Sequence, residues 1–194
     1  MALAGHQGDA ATARAGLRAA DPGVRAAALG ALERLAVADD SDVAVALRDV
    51  DPAVRRRAAA IAARHPGVSL LETLDDTDPM VAEVAAWACG EREDVDDVVF
   101  ARLVALATAS GADPLVRESC VAALGAIGDE RGLDAILAAT TDRPPIRRRA
   151  VLALAPFLDA AHPRAEEVDS ALHRALEDRD WQVRQAAEDL MPDD

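Results

Sequence analysis

Polar and apolar positions repeat along this chain on two scales. On the short scale, apolar residues recur at steps of three and four, as in Val24, Ala28 and Leu32 or Val116, Cys120, Leu124 and Ile127. That spacing marks one face of an α-helix. No segment alternates with period two for long enough to make a strand. On the long scale, each such helix opens on the same string. It reads Asp21-Pro22-Gly23-Val24-Arg25, Asp51-Pro52-Ala53-Val54-Arg55 and Asp113-Pro114-Leu115-Val116-Arg117. Asp78-Pro79-Met80-Val81-Ala82 loses the Arg, and Arg143-Pro144-Pro145-Ile146-Arg147 and Asp180-Trp181-Gln182-Val183-Arg184 are variants. The Val or Ile positions are 24, 54, 81, 116, 146 and 183, at intervals of 30, 27, 35, 30 and 37. Six matches at a quasi-regular period identify an internal repeat.

Each place in the string has a physical reason. Asp before the helix is an N-cap whose carboxylate accepts from free amide groups. Pro at the first helical position gives up an N–H that has no partner there anyway. Val starts the apolar face. A second helical segment precedes each of these helices, at Asp42 to Arg48, Val95 to Ala107, Leu133 to Ala139 and Glu166 to Leu176. Acidic residues crowd the starts of these segments, where negative charge complements the helix dipole. The unit is therefore helix A, a tight turn, and helix B. One such hairpin cannot bury its apolar face alone, so neighbours must stack. The expected architecture is all-α, a solenoid of about six hairpins at 9–37, 39–64, 68–90, 94–127, 129–158 and 164–191, in a single domain spanning 1–194. Gln182, Gln185, Glu188 and Asp189 give the last repeat the polar outer face of a cap.

Composition narrows the chemistry. All 21 of the Lys+Arg residues are Arg, Tyr is absent, alanine makes up about a quarter of the chain, and the formal net charge is -14. Without Lys there is neither a Schiff-base nucleophile nor a phosphate-loop lysine. With 2% aromatic residues and an acidic field, nucleic acid is a disfavoured partner. No apolar run reaches the ~20 residues of a membrane span. The first nine residues lack the pattern of a secretion signal, so the expected location is the cytoplasm.

The run Asp113 to Asp129, DPLVRESCVAALGAIGD, resembles the HEAT-like repeat of the phycobilin (PBS) lyase type, and the resemblance extends from about Asp9 to Leu190. It implies a right-handed α-superhelix with B helices on the concave face. It also implies an Asp/Arg ladder between successive repeats. Carried over, the ladder residues are Arg25, Arg55, Arg117, Arg147 and Arg184 with Asp21, Asp51, Asp78, Asp113 and Asp180. Ala82 breaks the ladder, and Arg143 stands where an Asp is expected. Some proteins of similar fold are lyases, isomerases or oxidoreductases, and others act on nucleic acid. The di-iron hydroxylases among them use His-Glu dipeptides, which His6, His65, His162 and His173 do not form.

No catalytic constellation, metal-ligand spacing or cofactor motif emerges from the residues themselves. The histidines read as incidental surface residues. Asp75-Asp76 and Asp96-Asp97 read as solvated caps rather than acid–base pairs. Cys89 and Cys120 read as reduced core thiols, and Phe100 and Phe157 as core. The candidates for binding a partner are Arg56, Arg57, Arg148 and Arg149, from two Arg triplets at B-helix starts, together with Trp87. The arginines could meet a partner's carboxylate or phosphate, or pair internally with Asp49, Asp51, Asp75 or Asp142. Trp87 reads as a contact between repeats or an exposed anchor, and Trp181 is expected to pack over the penultimate repeat. The functional expectation is a non-enzymatic scaffold or adaptor that binds a protein or peptide on its B helices, the alternatives being a lyase, isomerase or oxidoreductase related to the bilin lyases and a nucleic-acid-associated protein.

Overall fold

The computed structural model describes residues 9–191, and all regular structure among them is helical. The chain divides into two compact units, Met1–Asp94 and Val95–Asp194. The first contains α1 (Ala10–Gly16), α2 (Pro22–Arg34), α3 (Asp40–Ala46), α4 (Pro52–Ala62), a 3-10 turn (Thr73–Asp75) and α5 (Pro79–Gly90). The second contains α6 (Asp97–Thr108), α7 (Pro114–Ile127), α8 (Leu133–Ala139), α9 (Pro144–Ala153), α10 (Ala165–Leu176) and α11 (Trp181–Leu190). Helices α2, α4, α5, α7, α9 and α11 are the B helices. Among the described residues, no helix is long and apolar enough to cross a membrane.

The repeated string does locally what its chemistry dictates. Asp21 accepts from the Val24 amide, Asp51 from Ala53, Asp78 from Met80, Asp113 from Leu115 and Asp180 from Gln182, all at 2.8–2.9 Å. Such caps each stabilise a helix by roughly 1 kcal/mol. Pro occupies the first turn of α2, α4, α5, α7 and α9. The A helices start the same way: Asp9, Asp39 and Asp96 cap α1, α3 and α6, and Asp39 and Asp42 form a reciprocal capping box.

Within each unit the B helices pack side by side. In the first, α4 lies against both α2 and α5; in the second, α9 lies against both α7 and α11. The cores are stripes from these faces. Leu29, Leu32, Val54, Ile61, Leu70, Leu74 and Val81 are buried in the first unit. Phe100, Leu103, Leu124, Ile136, Ile146, Leu154 and Phe157 are buried in the second. Many intervening core positions are alanine, whose small side chain lets helix axes approach. The tightest approach is at Gly125 of α7, where a Cβ would stand 2.6 Å from the Ala153 Cα of α9.

The third repeat departs from the two-helix expectation. Its A segment is the 3-10 turn alone, although Val68, Leu70 and Leu74 still fill the core beneath it. The short interval of 27 residues between Val54 and Val81 and the turn-forming Pro66-Gly67 and Asp75-Asp76 leave no room for a longer helix.

Replacing Gly125 with Ala should therefore force α7 and α9 apart and cost about 1–3 kcal/mol. The same change at Gly111, where nothing lies within 4 Å, should be close to neutral. Urea unfolding of the two full-length variants measures the difference.

Candidate functional site

The B-helix arginines fall into two sets: those that hold repeats together and those that face solvent. In the first set, Arg25, Arg55, Arg117 and Arg147 carry out the same task in their repeats. Arg25 donates two hydrogen bonds of 2.7 Å to the Asp49 carboxylate and others to the Ala19 and Ala20 carbonyls. Arg55 repeats this with Asp76, at 2.6 and 2.8 Å, and with the Asp49 and Val50 carbonyls. In the second unit Arg117 pairs with Asp142, and Arg147 with Asp178 at 2.7 and 2.8 Å. Arg147 and Arg184 also donate to the Asp142 and Asp178 carbonyls.

The acid of each rung is not the cap. Asp51, Asp78, Asp113 and Asp180 cap their own helices, as Asp21 does. The rung acids are Asp49, Asp76, Asp142 and Asp178, one or two residues before the cap position. Their carboxylates also accept from the Asp51, Asp78, Arg143 and Asp180 amides. So Asp76, read from sequence as a solvated cap, is a rung partner whose side chain is 8% exposed. Hydrogen bonds from the guanidinium hold the Asp49, Asp76 and Asp178 carboxyls below the usual carboxylate range. Arg143, which replaces the cap Asp, makes no side-chain cap bond. Ala82 occupies the Arg register of the third repeat, and Gly111 the acid register of the fourth.

Two histidines also differ from the surface reading. His65 sits between Asp40 and Glu33, at 2.9 and 3.2 Å, with its side chain 13% exposed. His162 meets Glu130 and packs edge-on to Phe157. Burial alone would lower the His65 pKa, but the two carboxylates outweigh it and raise it above the ordinary value. Both histidines follow B helices: His65 reaches Glu33 of the preceding repeat and Asp40 of its own hairpin, and His162 reaches Glu130 of its own hairpin. Arg92 closes the end of α4 by donating to the Ala62, His65 and Val68 carbonyls. Cys89 and Cys120 are buried and form no disulfide, and burial pushes the Cys89 thiol up to about 11.

The second set of arginines lies on the exposed B face. In the first unit, Arg56 and Arg57 line an open groove of about 490 Å³ with Ala26, Ala27, Ala53, Ala60 and Val84. Both are exposed, and neither makes an ion pair among the described residues. Arg57 lies across Gly30, where any Cβ would collide with its guanidinium. Met80 and Trp87 fall on the Val84 face of α5, at the i, i+4, i+7 spacing. They are 43% and 45% exposed.

The second triplet is arranged differently. Arg149 reaches Glu118 at 3.7 Å, while Arg148 is exposed. Trp181, expected to pack over the penultimate repeat, is 64% exposed. A depression of about 500 Å³ beside α1 and α3 contains Arg14, Arg25, Asp42 and Asp49. Those charges pair with one another. Among the described residues, no three His, Cys, Asp or Glu side chains converge as metal ligands.

A family model described as HEAT repeats matches residues 68–155. No curated protein matches the chain in sequence. Among solved structures, the chain is similar to an engineered protein at 19% identity and a TM-score of 0.60, with 94% of this chain and 95% of that one covered. It is also similar to a designed armadillo repeat protein, solved in complex with the peptide (KR)4. There the identity is 16% and the TM-score 0.50, with 97% of this chain and 83% of that one covered. Likeness at these identities is likeness of fold: an all-α repeat solenoid.

Truncating a rung arginine leaves a desolvated carboxylate and two carbonyls without their donor. Arg55→Ala should cost about 2–4 kcal/mol. Arg48→Ala, which removes an exposed 3.6 Å pair with Glu72, should cost less than about 0.5 kcal/mol. The Asp76 pKa is lowered on folding, so the rung's contribution is full above the unfolded carboxylate value near ~4. It is lost as pH falls through the folded value. The Arg55→Ala deficit in urea unfolding should therefore be constant from pH 7 to 5 and shrink in acid.

His65 has the opposite sign. Its folded pKa is raised, so its contribution is complete below the unfolded value and is lost as pH rises through the folded one. Thermal unfolding of His65→Gln against the parent should give the widest gap near pH 6 and the narrowest near pH 9.

Proposed function

We propose that this chain is a non-enzymatic scaffold that holds a protein or peptide partner against the exposed face of its B helices. One observation carries the reading. Arg14, Arg25, Arg48, Arg55, Arg64 and Arg92 of the first unit bind acids or carbonyls of the chain, whereas Arg56 and Arg57 make no ion pair among the described residues and stand together on a groove with an apolar wall. Two adjacent donors in that setting suit a partner's backbone or acidic groups. The repeat-solenoid fold supports the reading, since it presents extended helix faces rather than an enclosed pocket. So does the peptide carried by the designed armadillo repeat protein of similar fold. The repeat string from Asp113 to Asp129 further supports the phycobilin-lyase type of HEAT-like repeat, without bringing that chemistry with it.

An unbiased peptide-display selection on the full chain at physiological salt tests the location. The selected peptides should protect amides at 26–30, 53–60 and 80–87 from hydrogen exchange. Protection confined to the A helices, or no peptide retained, would overturn the reading.

A further inference from the structure

At the register facing the Arg triplet, the exposed B face of the first unit lacks an acid that its counterpart in the second has, and that difference points to the partner's chemistry. Aligning the repeats on Val24 with Val116 places Ala26 at the register of Glu118. Aligning Val54 with Ile146 places Arg57 at the register of Arg149. In the second unit the acid at this register pairs with the arginine, Glu118 with Arg149. In the first unit, the acid is replaced by a methyl group. Arg57 is held in place by lying over Gly30, and Arg56 stands beside it without a counter-charge. Next to them is the α5 stripe of Met80, Val84 and Trp87.

Resting on the scaffold reading above, we infer that this groove is built for an acidic linear peptide. Its carboxylates meet Arg56 and Arg57, and an apolar side chain docks on Val84 and Trp87. The net charge of -14 does not oppose this at contact distance. At physiological salt the screening length is about 8 Å, so the nearest charges decide the encounter. Bidentate guanidinium–carboxylate contacts give the geometry, and an exposed Trp beside an apolar floor is a common anchor site.

Fluorescence anisotropy with the full chain tests the inference. The probes are three labelled 12-residue peptides with the same two Leu anchors, flanked by Glu, by Ser or by Arg. The Glu peptide should bind at least about tenfold more tightly than the Ser peptide and should weaken as salt is raised. Arg56→Ala with Arg57→Ala should abolish that preference. Ala26→Glu, which supplies the counter-charge present in the second unit, should also weaken the Glu peptide about tenfold while circular dichroism and the unfolding midpoint stay at parental values.

Tighter binding of the Arg or Ser peptide, with protection still on the B face, would overturn the acidic specificity and leave the scaffold reading in place. Absence of saturable binding by all three would overturn the inference, and the display selection then decides the scaffold reading independently. Tighter binding of a phosphate-rich oligonucleotide than of the Glu peptide would also overturn it.

Discussion

Within each unit, each pair of successive repeats is joined through one guanidinium. A helical hairpin this small cannot bury its faces alone, and the Arg of the repeated string fixes where the next one sits. In the first unit, Arg25 binds the Asp49 carboxylate, the Asp49 carbonyl receives Arg55, and Arg55 binds Asp76. In the second, the sequence runs Arg117, Asp142, Arg147, Asp178 and Arg184. One aspartate therefore serves two arginines, by carboxylate to the preceding repeat and by carbonyl to its own. Only a planar group with five donors can hold a carboxylate bidentately while also reaching a carbonyl. A lysine ammonium could not satisfy both, and the chain contains none.

What the sequence revealed divides along the range of the interaction. Caps are local: Asp-Pro before an apolar helical stripe specifies a helix start whatever surrounds it, so the B helices were legible to within a residue or two. The rung acid is a partner across the repeat. From the string alone, Asp49 and Asp51 look equivalent, as do Asp76 and Asp78. Only the fold separates them, because one carboxylate is spent on its own helix and the other faces the neighbour's guanidinium. The histidines follow the same rule. A His-Pro dipeptide reads as a surface loop, and the acids that meet His65 and His162 lie 25–32 residues earlier in the chain, where only the fold brings them. The missing third A helix has a local cause that was visible as a short interval, yet periodicity gave no hint that a single 3-10 turn with Val68, Leu70 and Leu74 could replace it.

The arginine triplets mark the limit of composition as a guide. Their three members have identical chemistry in the sequence, and helical geometry alone sends them in different directions. At 100° per residue, the first member points to the neighbouring turn and becomes structural, while the next two turn toward the open face. The same triplet then meets different surroundings in the two units, Glu118 in one and Ala26 in the other. A count of charges cannot distinguish a neutralised arginine from a free one, and the surface chemistry depends on that distinction.

Bulk acidity and local basicity coexist here because they have separate origins. Much of the negative charge lies at helix starts, where each carboxylate faces backbone amides and its field is partly cancelled by the helix dipole. The rung aspartates are cancelled by their guanidiniums. These acids therefore contribute to the net charge more than to the potential felt on the B face. On that face the uncompensated groups are Arg56 and Arg57, over a floor of small side chains that brings a partner's backbone close to the guanidiniums. The groove's other lining residues, Ala26, Ala27, Ala53, Ala60 and Val84, are apolar and offer the guanidiniums no counter-charge. The proposed selectivity rests on what the first unit lacks: an acid at the register of Ala26.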